Sequence, residues 1–302
     1  MRNNGHGNWL TPYFGDSLQI VLARVSQFRV CPPNPNPYLF IQRSKTRSKG
    51  MSYLLKRHPL PITAHFEHLL VLTYALPESV LAPLLPAGLE LDTYEGRAFL
   101  AVATVQTRDL RPSFLPSAFG RDFFLVGYRV FTRFKTAEGK ILRGLRILRT
   151  DTDSASMVTW GNRLTRYGYR KSEMECRKED GELHFKVVTP HAEADLEFTG
   201  NIAGIPGRLP AGSPFPNVEK ALEFAAPLPY TFDYEPETDS MIIVLGRRTK
   251  WNPQPVEVQV HKNTFLELAP FNQCHAVLAN AFYVEDVPYS WDRGRLKKVP
   301  PK

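Results

Sequence analysis

Arg129 is the side chain that asks most of its surroundings. It follows Leu125 and Gly127 at two-residue spacing and precedes Phe131, so an extended chain turns it toward an apolar interior. A guanidinium does not shed its proton and is rarely buried without a counter-ion. An inward Arg129 therefore requires a carboxylate of this chain or an anion from outside. Arg146 and Arg149 lie in the next extended run, where solvent or a structural carboxylate accounts for them. Asp151 closes that run. It can serve as an acid or base, or as the partner of a strand arginine. Asp153 shares its face in an extended segment, but Asp153 or Ser154 also caps the helix expected next.

Other reactive side chains offer less. His65 and His68 sit three apart in a β-type run, a spacing that sends alternate side chains to opposite faces, so a shared metal ion is not expected. Cys31, Cys176 and Cys274 are odd in number and far apart, which gives neither a disulfide framework nor zinc spacing. The chain has no G-x-G-x-x-G, phosphate loop or G-x-S-x-G elbow. Its aromatic residues are not interleaved with basic ones as a single-strand nucleic acid platform requires.

The elements that position these residues read as follows. Val80, Leu81, Leu84 and Leu85 recur at helical spacing behind Pro77, and Pro86 with Gly88 stops the turn. Residues 89–92 form a short strand and 93–96 a hairpin-type turn. Residues 97–106 carry apolar side chains on both faces, so that strand is covered on both sides. Residues 123–134 and 141–151 pair as an antiparallel hairpin. A helix then runs to Gly168, with Met157, Trp160, Gly161 and Leu164 on one side. Residues 169–178 and 182–190 flank a Glu179-Asp180-Gly181 turn, and 192–199 adds a strand. Residues 201–216 are a Gly/Pro-rich connection long enough to form a rim. Asn217 caps a helix bearing Val218, Ala221, Leu222 and Ala225. The remainder, 228–291, is β-like.

Composition narrows the class. The 302 residues are 43% hydrophobic, with 26 prolines and 19 glycines, which favours many short turns and a β-rich fold. No run approaches the ~18 apolar residues of a membrane-spanning helix. The net charge of +8 is concentrated at the start. Residues 1–50 hold seven basic residues against Asp16 alone, or +6, which leaves +2 for the rest. The basic pI is thus weak support for nucleic acid binding. Residues 1–50 lack periodicity and are read as an extension: upstream sequence before Met51, a solvated arm, or a transit peptide around 18–28. The cysteine usage favours a reducing, cytoplasmic setting.

Leu81-Ala-Pro-Leu-Leu-Pro-Ala-Gly-Leu-Glu-Leu-Asp92, followed by Tyr94-Glu-Gly-Arg-Ala-Phe99, resembles the opening of the YqjF-like family of uncharacterised bacterial proteins. Trp251-x-Pro-x-Pro-x-Glu-Val, then Asn263-Thr-Phe-Leu-Glu267, is similar to its closing portion. The resemblance covers roughly residues 60–299. It implies the acetoacetate decarboxylase-like superfamily: mainly β (α+β), an antiparallel β-barrel or cone with two or three peripheral helices, as one domain over 51–302. Decarboxylases of that superfamily work through a Schiff base on a buried lysine beside a second cation. Their motif resembles Gly161-Asn-Arg-Leu-Thr-Arg-Tyr-Gly168, and it puts the nucleophile position on Tyr169 and the cationic neighbour on Arg170. A tyrosine forms no imine, and Lys171 lies two residues beyond. The glutamate position falls on Leu125, and Glu67 stands where a substrate-binding arginine is expected.

The resemblance thus implies a pocket at one mouth of the barrel, lined from among Tyr128, Arg129, Asp151, Tyr169 and Arg170. Asp151, Tyr169 and Lys171 are the candidates for chemistry. Tyr128, Arg129 and Arg170 are the candidates for ligand binding, with no cofactor or metal. The expected partner is a small organic acid or ketone, and neither nucleic acid nor membrane, with self-association left open. Two alternatives stand beside this reading: a keto-acid lyase using Lys171, and a non-enzymatic interaction protein whose barrel is filled by side chains.

Overall fold

The runs that are apolar on both faces become the middle of a large sheet. The computed structural model describes residues 51–203, 208–226 and 228–299; the expectations for residues 1–50 fall outside them. A 3-10 turn, Met51–Lys56, leads into β1 (Ile62–Pro77). Helix α1 (Glu78–Leu81) continues as a 3-10 turn, Ala82–Leu84, before β2 (Leu89–Leu91). Then come β3 (Arg97–Pro112), β4 (Arg121–Lys135) and β5 (Ile141–Thr152). Helix α2 (Ala155–Leu164) is capped by Ser154, whose hydroxyl accepts from the Met157 N–H. Strands β6 (Tyr169–Lys171), β7 (Glu173–Glu179), β8 (Glu182–Val188) and β9 (Leu196–Asn201) follow. Helix α3 (Val218–Ala225) is capped by Asn217. The chain ends through β10 (Tyr230–Glu235), β11 (Ser240–Arg248), β12 (Gln254–Pro255), β13 (Glu257–Asn263), β14 (Val277–Trp291) and β15 (Arg295–Lys298).

The main sheet runs β14-β1-β3-β4-β5-β10-β11, and β11 pairs again with β14, so the path curls back on itself as a cone. Pairing is antiparallel except where β5 meets β6 and β10. A second sheet, β13-β9-β8-β7, covers part of the cone's outer face. The contact between them is close. Tyr128 on β4 stacks on Phe265 at 4.0 Å, Phe124 meets Phe185, and a methyl group placed on Gly200 would fall 2.9 Å from Leu70. This explains why β1 and β3 are apolar on both faces. Each leucine or phenylalanine so buried contributes about 1.5–3 kcal/mol.

Inside the cone, Phe66, Leu69 and Val71 of β1 join Ala101, Ala103 and Val105 of β3. One end is plugged by aromatic rings. Phe99 lies 5.8 Å from Phe131 and 5.4 Å from Phe215, and Tyr94 and Phe224 pack against the same group. Helix α3 brings Ala221 and Ala225 onto this core.

Three expectations are corrected. Residues 169–178 are not one strand. Buried Ser172 donates its hydroxyl to Asp151 (3.2 Å) and the chain switches there from the cone, as β6, to the second sheet, as β7. The strand expected to end at residue 106 extends to Pro112. His65 and His68 do not diverge. Register slips at Glu67, a bulge that leaves Phe66 and Leu69 facing in and both imidazoles facing out. His65 then meets Asp286 and His68 meets the Tyr283 hydroxyl. Among the described residues no group of His, Cys, Asp and Glu is arranged to hold a metal ion.

Candidate ligand-binding site

Strand alternation on β4 turns Leu125, Gly127, Arg129 and Phe131 inward, as their spacing predicts. Leu125, Arg129 and Phe131 line a cavity of about 810 Å3 whose walls are mostly apolar. Arg129 lines it. Its Nε has no hydrogen-bond partner, and no ion pair to it exists among the described residues. The guanidinium folds back over Gly127, where a methyl group would fall 2.8 Å from Nε. The residue is half-buried and lines the cavity, through which solvent reaches it. Burial lowers its pKa, while the phenols of Tyr289, Tyr167 and Tyr169 act the other way. It stays charged at any physiological pH.

Tyr169 reaches the same cavity from β6, where it pairs with Thr150. Its placement is built by α2. The Asn162 side chain accepts from the Tyr169 N–H at 2.8 Å and donates to its carbonyl at 2.9 Å. Gly161 leaves room for the ring, since a methyl group there would come within 2.5 Å of it. Burial pushes the Tyr169 phenol up to about 12, with Arg129 opposing, so it is a neutral hydrogen-bond donor at neutral pH. Tyr167 is raised further by burial; its hydroxyl approaches Thr231 without forming a well-directed hydrogen bond.

The other sequence candidates lie elsewhere. Tyr128 is on the outer face, its hydroxyl donating to the Ala194 carbonyl at 3.3 Å. Asp151 is fully buried between the sheets and takes both Nε (2.7 Å) and Nη2 (2.9 Å) of Arg149. Glu193 joins Arg149 and receives exposed Arg170 at 2.9 Å. Lys171 is exposed, and its ammonium donates to the Asp153 carbonyl. Of the six candidates, Arg129 and Tyr169 meet in the cavity. Asp151 and Arg170 belong to the outside of β5 and β6, because strand parity there sends Thr150 and Tyr169 inward; Lys171 shares the parity of Tyr169 but stands at the exposed end of β6, beyond the cavity wall. Among the described residues no lysine stands in the cavity wall, and its acidic residue, Asp292, is held by Arg247 through two contacts of 2.9 Å.

Further polar groups in the wall come from distant segments. Arg248 lies 3.7 Å over the ring of Trp251, and burial lowers its pKa. Tyr289 stands near both Arg248 and Arg129. His58 is enclosed, with Nε2 unpartnered and its ring 4.7 Å from that of Tyr167; burial lowers it to about 4. Sequence reasoning missed these groups, though one signal was present. Gly246-x-Arg248 repeats the Gly127-x-Arg129 pattern, with a glycine two residues before an inward arginine. Likewise, Val287, Tyr289 and Trp291 alternate inward on β14.

The arrangement can bind an anion in a low-dielectric chamber. A planar guanidinium takes a carboxylate through two parallel hydrogen bonds, and tyrosine hydroxyls can donate to the same oxygens. It supplies no amine for an imine and no thiol.

Solved structures share this architecture. The acetoacetate decarboxylase of Legionella pneumophila is 13% identical, covers 79% of this chain and 87% of its own, and superposes with a TM-score of 0.54. The enduracididine biosynthesis enzyme MppR, solved with HEPES buffer bound, is also 13% identical, covers 80% and 90%, and gives 0.51. At such identity the likeness speaks to the fold alone. No curated protein sequence matches the chain. The pattern of an uncharacterised family does match, over residues 63–288, which spans nearly the whole cone and its second sheet. The chain belongs to that family, DUF2071, described as "uncharacterized conserved protein (COG2071)", whose fold is that of the acetoacetate decarboxylase-like proteins.

Proposed function

We propose that the protein binds an organic acid in the cone, with Arg129 receiving the carboxylate. One observation carries this reading: a guanidinium enclosed in an apolar chamber without a carboxylate of the described chain beside it. Such a charge is costly to leave uncompensated, and a ligand anion compensates it. Tyr169, held neutral, and Tyr289 supply donors around the same point. If the ligand is transformed, these groups favour steps that develop negative charge on an oxygen, and the chemistry proceeds without an imine. Exposed Lys171, bound to a backbone carbonyl, gives the lyase reading no support. An 810 Å3 cavity gives none to a filled barrel.

A thermal-shift panel tests the proposal. Keto acids, aliphatic acids and aromatic acids, each with its methyl ester, are offered to the wild type and to Arg129→Met. Acids are expected to raise the wild-type melting temperature, by the equivalent of about 2.7 kcal/mol at a hundredfold excess over Kd. Esters should do so weakly, and on the variant the acids should act as weakly as the esters. Indifference of the wild type to every acid rejects the proposal.

A further inference from the structure

We infer that the ligand is an amphiphilic carboxylic acid that enters head first, with an apolar body long enough to reach the cavity mouth. The inference rests on the proposed receipt of a carboxylate by Arg129 and concerns what the rest of the ligand must be. Arg129 is deep. It sits two residues before Phe131 of the aromatic plug and four after Leu125, whose strand leads back toward the opening. The opening lies where Phe119 and Trp160 line the cavity while remaining 59% and 57% exposed. Phe119 stands on the connection between β3 and β4, and Trp160 on α2, stacked by Arg163 at 5.1 Å.

Volume gives the scale. A water molecule's share of the liquid is about 30 Å3, so 810 Å3 is room for about 27 water-sized units. A four-carbon keto acid has roughly seven heavy atoms and would leave about three-quarters of the chamber wet against apolar walls. Phe66, Leu69, Val105 and Leu125 are part of those walls and offer a polar chain nothing to bond. On the same scale an acid of roughly 25 heavy atoms would fill the space and cover the two exposed rings at the rim, and the roughly fourteen of dodecanoate take up about half of it. The charged head is thus bound where water is excluded, and the apolar body completes the exclusion.

Isothermal titration of the wild type with butanoate, octanoate, dodecanoate and 1-dodecanol tests the inference. The expected affinity rises about fourfold per added methylene from butanoate to octanoate, the equivalent of about 0.8 kcal/mol. Phe119→Ala and Trp160→Ala change exposed rim positions. They are expected to weaken dodecanoate severalfold and leave octanoate within twofold. Butanoate binding as tightly as dodecanoate overturns the inference while the carboxylate reading survives. Dodecanol binding as tightly as dodecanoate overturns the carboxylate reading, and with it the head-first assignment. No binding of any acid overturns both.

Discussion

Arg129 and Arg149 stand on neighbouring strands of one sheet and face opposite sides of it. Arg149 points out, between the two sheets, where Asp151 grips it with two hydrogen bonds and Glu193 adds a third. Arg129 points in, toward an apolar chamber, with its Nε unpartnered. What separates them is one residue of register. Tyr128 pairs with Arg149 but Arg129 pairs with Ile147, so Leu148 is bulged. The same side chain is a structural tie on one face and an open valence on the other. Burial is therefore a poor guide to role; the presence of a counter-charge decides it.

The contrast can be broken at either end. The largest effect is expected at the outer cluster. Arg149→Met leaves Asp151 buried without its counter-ion, and urea denaturation should record a loss of about 3–5 kcal/mol. A near-neutral result would mean that the outer cluster is no tie at all.

Next comes the enclosed imidazole on the inner side. His58 titrates near 6.5 when unfolded and near 4 in place. Between those values the unfolded chain binds more protons, so stability is fully present above about pH 6.5 and is lost as pH falls toward 4. The loss amounts to about 3 kcal/mol over that window. His58→Gln should flatten this dependence in urea titrations at pH 7 and 4.5, and an unchanged slope would show that the ring is hydrated.

Arg129→Met sharpens the comparison most. Removing an uncompensated charge from an apolar chamber should leave stability equal or higher, while affinity for octanoate falls about tenfold to a hundredfold, the worth of a charged hydrogen bond at about 1.5–3 kcal/mol. Destabilisation on the scale of Arg149→Met would show instead that Arg129 has a structural partner. The smallest effect is expected from Tyr169→Phe, about 1 kcal/mol of affinity by calorimetry with the fold intact, since only one neutral donor is lost.

Much of the fold was legible. The two-faced apolar run at Phe99–Val105 announced a covered strand, and the second sheet is what covers it. Ser154 and Asn217 announced helix starts and cap them. Of the site, Arg129 was legible from its alternation with Leu125, Gly127 and Phe131. Tyr169 entered through the likeness to the decarboxylase motif, and the Gly161-Asn162 pair that holds it was part of that motif. His65 and His68 misled, because alternation carries no sign of a bulge at Glu67. The Ser172 switch was hidden as well, since a single buried hydroxyl bonded to Asp151 leaves no mark in residues 169–178.

Local order was fixed by the chain itself: which residues alternate, where helices begin, which turns need glycine, and that one arginine would face inward. Those are properties of a few adjacent dihedral angles and side-chain volumes. Tertiary structure decided what that arginine would meet. Strand curvature opened the chamber, register slips assigned faces, and Tyr289 and Arg248 arrived from segments more than a hundred residues away. Such contacts arise from summing small twists and pairings over the whole sheet, and no stretch of sequence contains that sum.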